Sequence, residues 1–458
     1  MGLFPGREAG AELAAIFAVF TAQAWNMAFS FYQSLRAVPQ DMRDVSGQFC
    51  LNGWQTFWRL EVPFAIPGLT WNTMMSMSGS WFFIVAAEAI SVGNTQINLP
   101  GIGSWLGLAI SKMDLQAVGL AILTMAVVIL AYDQLIFRPI VAWSDKFNMG
   151  QTARQIQPRS WVYDILRRTK VLGVMMRPLR ALGYKILCIR WSNDTHKHHA
   201  VSFVAPVWAE KSFDTIWYIV LGAFVAGCVF YVMHYLQATL TIANVTVVIV
   251  LGLITLLRVM LMVLLASLIW VPIGVWVGLR PRMVAWVQPL ALFLSAFPAN
   301  ILFPLVVIVI VYFNLNPDIW LSPLIVLGTQ WYIFFNVIAG VSAYPNDLQE
   351  AAQIYQVRSW LWWRRVMLPG VLPYYVTGAI TAAGGSWNAS IVAEVVSWGS
   401  IKLQAHGLGA YIADATAAGN FHKVVLGVTV MSVFVVCINR AVWRRLHDYA
   451  ARLAGMEA

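Results

Sequence analysis

The 458-residue chain is 60% hydrophobic and only 11% charged, with a net charge of +10. A mean hydropathy of +0.69 excludes a soluble globular domain, a disordered chain and a collagenous one, and places the protein in a lipid bilayer. Cys50, Cys188, Cys228 and Cys437 lie far apart without a CxxC pair, which argues against a disulfide framework or a zinc site.

In chain order, apolar runs long enough to span occur near 11–34, 66–92, 115–137, 215–236, 243–278, 284–313, 318–342, 371–396 and 420–443. They predict nine transmembrane helices. The first run has no basic n-region and is too long for a signal h-region, so it reads as a retained helix. The 243–278 run exceeds one span and is either a tilted helix or a surface segment that turns inward. Pro298 and Pro304 should bend or break the 284–313 run, because each removes a backbone donor.

Assigning alternate loops to one side gathers 25 of the 30 Lys and Arg residues in 35–64, 138–213, 279–283, 343–370 and 440–458. The positive-inside bias puts those segments in the cytoplasm and the N-terminus outside. The charge thus reports topology first and attraction to anionic headgroups second; no nucleic acid partner is expected.

Residues 25–138 match 331–444 without a gap at a constant offset of 306. The matches include Trp25/Trp331, Pro39/Pro345, Asp41/Asp347, Trp54/Trp360, Arg59/Arg365, Pro63/Pro369, Gly79/Gly385, Ser80/Ser386, Trp81/Trp387, Glu88/Glu394, Gly101/Gly407 and Gly103/Gly409. Chance alignment of hydrophobic helices would match Leu and Val, so these Trp, Pro, Gly and charged identities establish a duplication. Both copies have the same orientation, which makes the repeat parallel and suits a central path between them.

The expected organisation is an all-α membrane protein. Residues 1–138 form a first copy of three helices, 139–212 a basic cytoplasmic connector, 213–447 a second copy of six helices, and 448–458 a cytoplasmic tail. Subtracting the offset from residue 213 puts the equivalent start about 94 residues before Met1, so the first copy is short by about three helices. A truncated chain, a misassigned start and a second polypeptide each account for that. Within the connector, Trp161 to Ile189 can form amphipathic pieces on the inner membrane surface.

The cytoplasmic segment of copy two carries Pro345, Asp347, Glu350, Ala351 and Ala352, then Trp360, Val366, Leu368 and Pro369. This spacing resembles the EAA loop of binding-protein-dependent ABC importer permeases, with Gln356 in place of the usual Gly. Copy one keeps the register with Asp41, Asp44, Val45, Ser46, Cys50, Trp54, Val62 and Pro63, in a weaker form. The segments Val85 to Glu88 and Ile391 to Glu394, followed by Gly101 and Gly103 or Gly407 and Gly409, are similar to the nitrate/sulfonate/taurine branch. The resemblance implies that Asp41, Asp44, Trp54, Pro63, Asp347, Glu350, Ala351, Ala352, Trp360 and Pro369 form coupling knobs that dock on two separate ATPase subunits. It further implies a periplasmic or lipid-anchored solute-binding protein, a bacterial inner-membrane location and a small anionic solute moved by alternating access. On the residues alone, a helix begun at Pro345 and Asp347 and stopped at Pro369 makes a compact rigid knob, and an ordinary amphipathic loop helix is the competing reading.

No GxxxxGK[ST] loop occurs, so ATP hydrolysis is expected in a partner and no cofactor in this chain. Trp81 and Glu88, like Trp387 and Glu394, lie seven residues apart on one helix face, and intramembrane carboxylates default to function. A pathway or outer gate of Ser80, Trp81, Glu88, Arg258, Ser386, Trp387, Asn388 and Glu394 is therefore expected, against interfacial carboxylates and helix–helix hydrogen bonds as the plain alternative. Arg258 is expected to snorkel to an interface; the sharper reading is a cation at the pathway mouth. Asp194, His196, His198 and His199 have no second cluster, so no metal site is expected, and no catalytic constellation is found. A self-contained secondary carrier or channel is the alternative function.

Overall fold

The computed structural model describes residues 7–36, 38–92, 95–147, 160–169, 183, 207–237, 241–344 and 346–453. Among the described residues the chain is all-α apart from two short hairpins. Copy one runs α1 (Arg7–Arg36), α2 (Gln40–Gln48), α3 (Gly53–Thr56) and α4 (Val62–Glu88), then β1 (Ala89–Val92), β2 (Thr95–Asn98), α5 (Ile102–Ser111), α6 (Leu115–Tyr132) and α7 (Arg138–Ser144). After a connector helix α8 (Trp161–Arg168) come α9 (Val207–Leu236), α10 (Ile242–Gly278), α11 (Pro281–Ala296), α12 (Phe303–Tyr312), α13 (Pro317–Trp320) and α14 (Ser322–Leu327). Copy two continues with α15 (Gln330–Ala343), α16 (Asn346–Ile354), α17 (Ser359–Trp362), α18 (Leu368–Ala393), β3 (Val395–Trp398), β4 (Ile401–Gln404), α19 (Leu408–Ala417), α20 (Phe421–Ile438) and α21 (Arg444–Leu453).

The repeat survives to the level of helix defects. Wide π-type turns occupy Phe57–Glu61 and Trp363–Met367, and again Asp133–Phe137 and Asn439–Trp443, each pair 306 residues apart. The first pair lies two residues ahead of Pro63 and Pro369, where the missing N–H and the ring's demand for space favour a widened turn. Both hairpins are antiparallel and equivalent, pairing Ala89 with Asn98 and Val395 with Gln404.

Several expectations change. By length and composition six helices among the described residues can cross a membrane, or up to eight if each bent pair is one span, in place of nine. The 66–92 run is helical to Glu88, but Thr70, Asn72, Thr73, Ser76 and Ser80 keep α4 outside that count. The runs 66–92 and 371–396 both end early because their last residues turn into β1 and β3. The 243–278 run is one unbroken helix, α10. The 284–313 run does break, by 74°, at Pro298; Pro304 sits in the first turn of α12, where no donor is needed. Pro369 is not a stop either, since it lies in the first turn of α18 and the chain stays helical from Ser359 to Ala393.

The core lies mainly in copy two. α10 packs along α15, α18, α19 and α20, while α15 and α18 form the closest pair. Glycines make that approach possible: a Cβ at Gly340 would come 2.9 Å from Tyr374, at Gly370 2.3 Å from the Tyr344 ring, and at Gly378 2.7 Å from the Tyr332 carbonyl. Small residues at such seams let backbones close without a hydrophobic driving force. The copies meet where α4 packs on α11 and the turn of Ala299–Leu302, and where the Gly399 N–H donates to the Ile110 carbonyl at 2.9 Å. Of the connector, α8 is amphipathic in pattern; the rest of the Trp161 to Ile189 expectation, and the Asp194, His196, His198 and His199 cluster, lie outside the described residues.

Candidate functional site

Two sets of predicted residues lie at opposite ends of α18 and, in copy one, of α4. The first is the pair of short helices α2 and α16 with the turns that follow them. Both helices close in the same way: Cys50 and Gln356 take φ of 50° and 51°, and the Leu51 and Val357 N–H groups donate back to the carbonyls of Ser46 (3.1 Å) and Ala352 (2.9 Å). This is a helix ending through a left-handed residue, the position at which glycine costs least. The glycine of the related loops therefore has a conformational reason, and these two side chains bear its strain.

Asp41 and Asp347 lie in the first turns of their helices, where the helix dipole favours a negative charge. Asp44, Asp347 and Glu350 are exposed, Ala351 is half-buried and Ala352 is buried, so the helix seats on its alanine side and presents its acids outward. Pro345 lies outside the described residues. Apolar side chains stand out at each helix end: Ile354 and Tyr355, with Trp360 beyond the turn, are 78%, 81% and 72% exposed, and in copy one Phe49, the counterpart of Tyr355, is 75% exposed. Trp54 does not match Trp360, for it is half-buried with its ring edge-to-face on Trp58 at 5.7 Å. In copy one Asn52 and Gln55 form a reciprocal capping box ahead of α3, and Arg43 donates to the Leu35 carbonyl at 2.8 Å, so the first loop is firmly built. Pro63 and Pro369 are half-buried in the helices that follow.

The second set is built around Glu394, 1% exposed at the end of α18. Arg258 of α10 donates to its Oε1 at 2.7 Å and Thr255 to the same oxygen at 2.9 Å, while the Ala410 N–H reaches Oε2 at 3.0 Å. Arg258 also donates to the His406 carbonyl at 3.2 Å and lies 3.6 Å from an Asp318 carboxylate oxygen. Asp318 accepts from the His406 N–H at 2.7 Å. A charge pair buried this deeply is tolerable only with such additional hydrogen bonds. Arg258 therefore does not snorkel, being 8% exposed and satisfied inside the protein. Gly407 and Gly409 are required by contact: a Cβ on either would meet Glu394 within 2.8 Å or the Ser390 carbonyl at 2.4 Å.

Glu88 has the same glycine cradle, since a Cβ at Gly101 would come 2.2 Å from its carboxyl, and Gly103 donates to it at 2.6 Å. Ser80 and Ser386 are buried and bonded to neighbouring helices, Ser80 to Gln23 and Ser386 to Thr329 at 2.9 Å. Trp387 is 4% exposed in the core, whereas Trp81 is half-buried, its ring T-shaped to that of Tyr132 at 6.0 Å. Asn388 alone of the predicted pathway residues of copy two is exposed. Sequence reasoning missed Thr255, Asp318 and His406. Thr255 and Arg258 had a signal, as polar residues three apart on one face of an apolar helix; Asp318 and His406 are joined to them only by the fold. Among the described residues no cluster of His, Cys, Asp and Glu is placed to hold a metal ion.

The profile of the family described as "binding-protein-dependent transport system inner membrane component" matches residues 9–138 and 270–446. Among curated proteins, the bicarbonate transport system permease protein CmpB of Synechococcus elongatus is 29% identical over 177 residues, 39% of this chain and 60% of that protein. The nitrate import permease protein NrtB of Leptolyngbya laminosa is 30% identical over 112 residues, 24% of this chain and 38% of that one. The taurine transport system permease protein TauC of Escherichia coli is 27% identical over 193 residues, 41% and 66% of the two chains. The matches thus cover about three fifths of the first of these relatives.

Proposed function

The chain belongs to the family of binding-protein-dependent transport system inner membrane components, in duplicated form, and from that premise we propose that it is the membrane-spanning permease of an ABC importer. In this reading α2 and α16, with Phe49 and Tyr355 at their tips, face the cytoplasm together with the connector and the C-terminal helix. Each docks in a groove of a separate ATPase subunit, and a solute-binding protein delivers cargo on the opposite side. The observation that carries the reading is the recurrence of one surface knob in both copies, down to the left-handed residue and the returning hydrogen bond. Exposed aromatic residues on a rigid turn, ringed by acids, have the composition of an interface anchor.

Closure of the ATPase pair would then move α2 against α16, and with them the helices α4 and α18 that continue from the two loops. Because the chain is continuously helical from Ser359, through α17 and its π-type turn, to Ala393 at the end of α18, displacement at the knob is transmitted along that length to Glu394. Names of the relatives point to bicarbonate, nitrate, taurine and sulfonates, and the proposed cargo is accordingly a small oxyanion. Arg258 is fully engaged by carboxylates and carbonyls, so its role here is to hold the gate region together and not to bind that anion.

The test is solute-stimulated ATPase activity of the complete importer in lipid nanodiscs. Tyr355→Asp is expected to reduce stimulation by about tenfold or more, the usual consequence of charging a central aromatic anchor, with the permease still monodisperse. Stimulation at the unmodified level would sink the docking role.

A further inference from the structure

The helical path that leads from the α16 knob through α18 continues past Glu394. β3 begins at the next residue, and the hairpin it forms with β4 is fastened to its own copy. The Ala405 N–H donates to the Glu394 carbonyl at 2.9 Å, Val396 and Trp398 are buried, and β3 lies along α12. The turn of the hairpin then reaches the other copy: the Gly399 N–H donates to the Ile110 carbonyl at 2.9 Å, and β3 lies against α5. The crossing is reciprocal at the level of the elements, since β1 lies against α19; residues 93 and 94, at the tip of that first hairpin, are outside the described residues.

The fit at the far side is specific. Ile110 lies in the last turn of α5, where carbonyls have no partner further along the helix, and its oxygen accepts from the Met113 N–H at 3.1 Å as well as from Gly399. Met113 takes φ 53° to turn the chain into α6, and its Cγ lies 2.5 Å from the place of a Cβ on residue 399. Gly399 itself has φ 58°, so glycine there answers both the left-handed backbone and the close approach. Two left-handed residues, one from each copy, thus face one another. Nearer the coupling helices the copies share a much broader apolar seam: Trp71 packs edge-to-face on Phe335 at 6.1 Å, and Met75 is buried in one cluster with Ala291, Phe334 and Ile338. At the hairpin turn the described residues exchange one backbone hydrogen bond and the packing of one flexible thioether side chain. Such a bond contributes little net stability, because water replaces it when it breaks. Copies that rock on each other would keep the broad seam as pivot and part at the narrow contact.

We propose that the β3–β4 turn of copy two and the α5–α6 turn of copy one form a clasp that shuts the outer end of the path between the copies and releases when the ATPase subunits move α16. The inference rests on the permease reading and gives it a direction. Motion that enters copy two at α16 passes along α18, through the anchored base of the hairpin at Glu394 and Ala405, and leaves at Gly399 against copy one. The coupling helix of copy two therefore works the mouth through the opposite copy. The division of strength fits that task, since the hairpin is held firmly by the body that must carry it and loosely by the body that it must leave.

The test ties the clasp shut in the complete importer in lipid nanodiscs, with bicarbonate, nitrate and taurine each tried as the solute. Met113→Cys combined with Gly399→Cys brings two thiols within bonding reach, because the new sulfur at 113 takes the place of the Met113 Cγ. Oxidation of this pair is expected to remove solute-stimulated ATPase activity and reduction to restore it, with either single variant responding to neither treatment. The bond is mapped by peptide mass spectrometry, and its failure to form would overturn the contact itself. A second pair, Lys112→Cys with Ser400→Cys, is exposed, stands one residue to the side of each turn and leaves Met113 and Gly399 in place. A short bis-maleimide across it should also remove stimulation, whereas a long flexible one should preserve it by letting the turns part. Equal loss with both linkers would overturn the clasp, since any modification there would then inactivate. Full stimulation with a short tie in place would overturn it too and leave the permease reading standing, for the tie would join parts that never separate. No stimulation of the unmodified chain by any of the three solutes would sink the permease reading for small oxyanions, and the clasp with it.

Discussion

Glu88 and Glu394 occupy the same position in two copies of one sequence, at the end of the same helix, in front of the same two glycines. Glu394 is closed off by Arg258 and Thr255 from α10, whereas among the described residues the Glu88 carboxylate accepts from the Gly103 N–H, and its carbonyl from the Leu99 N–H and the Ser104 hydroxyl. The local sequence thus builds the cradle, and a distant helix decides whether the carboxylate inside it becomes part of a lock. The comparison separates what a repeat carries by itself from what it acquires through packing.

Breaking the lock is the largest test of that difference. Arg258→Ala is expected to lower the stability of the detergent-solubilised chain by about 3–5 kcal/mol, because Glu394 stays buried and loses its cation. Glu88→Gln in the same preparation should change it by about 0.5 kcal/mol or less, as for a substitution that breaks no buried pair. Replacing Arg258 and Glu394 together by Leu should cost less than Arg258→Ala alone, since removing both charges removes the desolvation penalty. Thermal unfolding followed by intrinsic Trp fluorescence reads all three, and equal losses at Glu88 and Glu394 would break the comparison.

A second difference lies in the seam between the helices. At equivalent positions copy two pairs Gly340 with the bulky Tyr374, while copy one pairs Ser34 with Gly68, where an added Cβ would already meet the Ser34 hydroxyl at 3.0 Å. The small residue has changed sides. Gly340→Ser should therefore cost about 1–3 kcal/mol by overpacking against Tyr374. Adding Tyr374→Gly, which recreates the arrangement of copy one, should recover part of that loss, and the double-mutant cycle should show a coupling of about 1 kcal/mol. Strict additivity would mean that the two positions do not interact as the structure has them.

Much of this was legible in the sequence. Offset matches of Trp, Pro and Gly gave the duplication, and the Glu350 to Pro369 spacing gave the coupling helix, because both are local patterns. The hairpins after Glu88 and Glu394 were hidden inside apolar runs whose β-branched residues, such as Val395 and Val396, continue a hydrophobic stretch whether it is helix or strand. Pro369 was misread because proline ends a helix from within but starts one at its first turn, and the sequence does not mark which turn that is. The partner of Arg258 was out of reach, since 136 residues separate it from Glu394 and only packing brings them together.

The smallest predicted effect concerns the backbone itself. The turn between α5 and α6 places Met113 at φ 53°, and its counterpart between α19 and α20 is Gly419 at φ 66°. Both turns close with the same hydrogen bond, Asp114 N–H to the Ala109 carbonyl at 3.0 Å and Asn420 N–H to the Ala415 carbonyl at 2.9 Å. Copy two thus shows the residue that copy one would prefer on backbone grounds alone. Met113→Gly should gain less than the full relief of left-handed strain, because glycine also gains freedom in the unfolded chain and the Met113 side chain packs on Gly399. Gly419→Ala brings in the left-handed strain, offset in part by alanine's smaller freedom in the unfolded chain, and should cost about 1 kcal/mol. Gln356→Gly, at a turn whose side chain is exposed, isolates the backbone contribution and should stabilise the chain by about 0.5–1 kcal/mol. A loss there would show that the Gln356 side chain does something at the knob that its φ angle does not reveal.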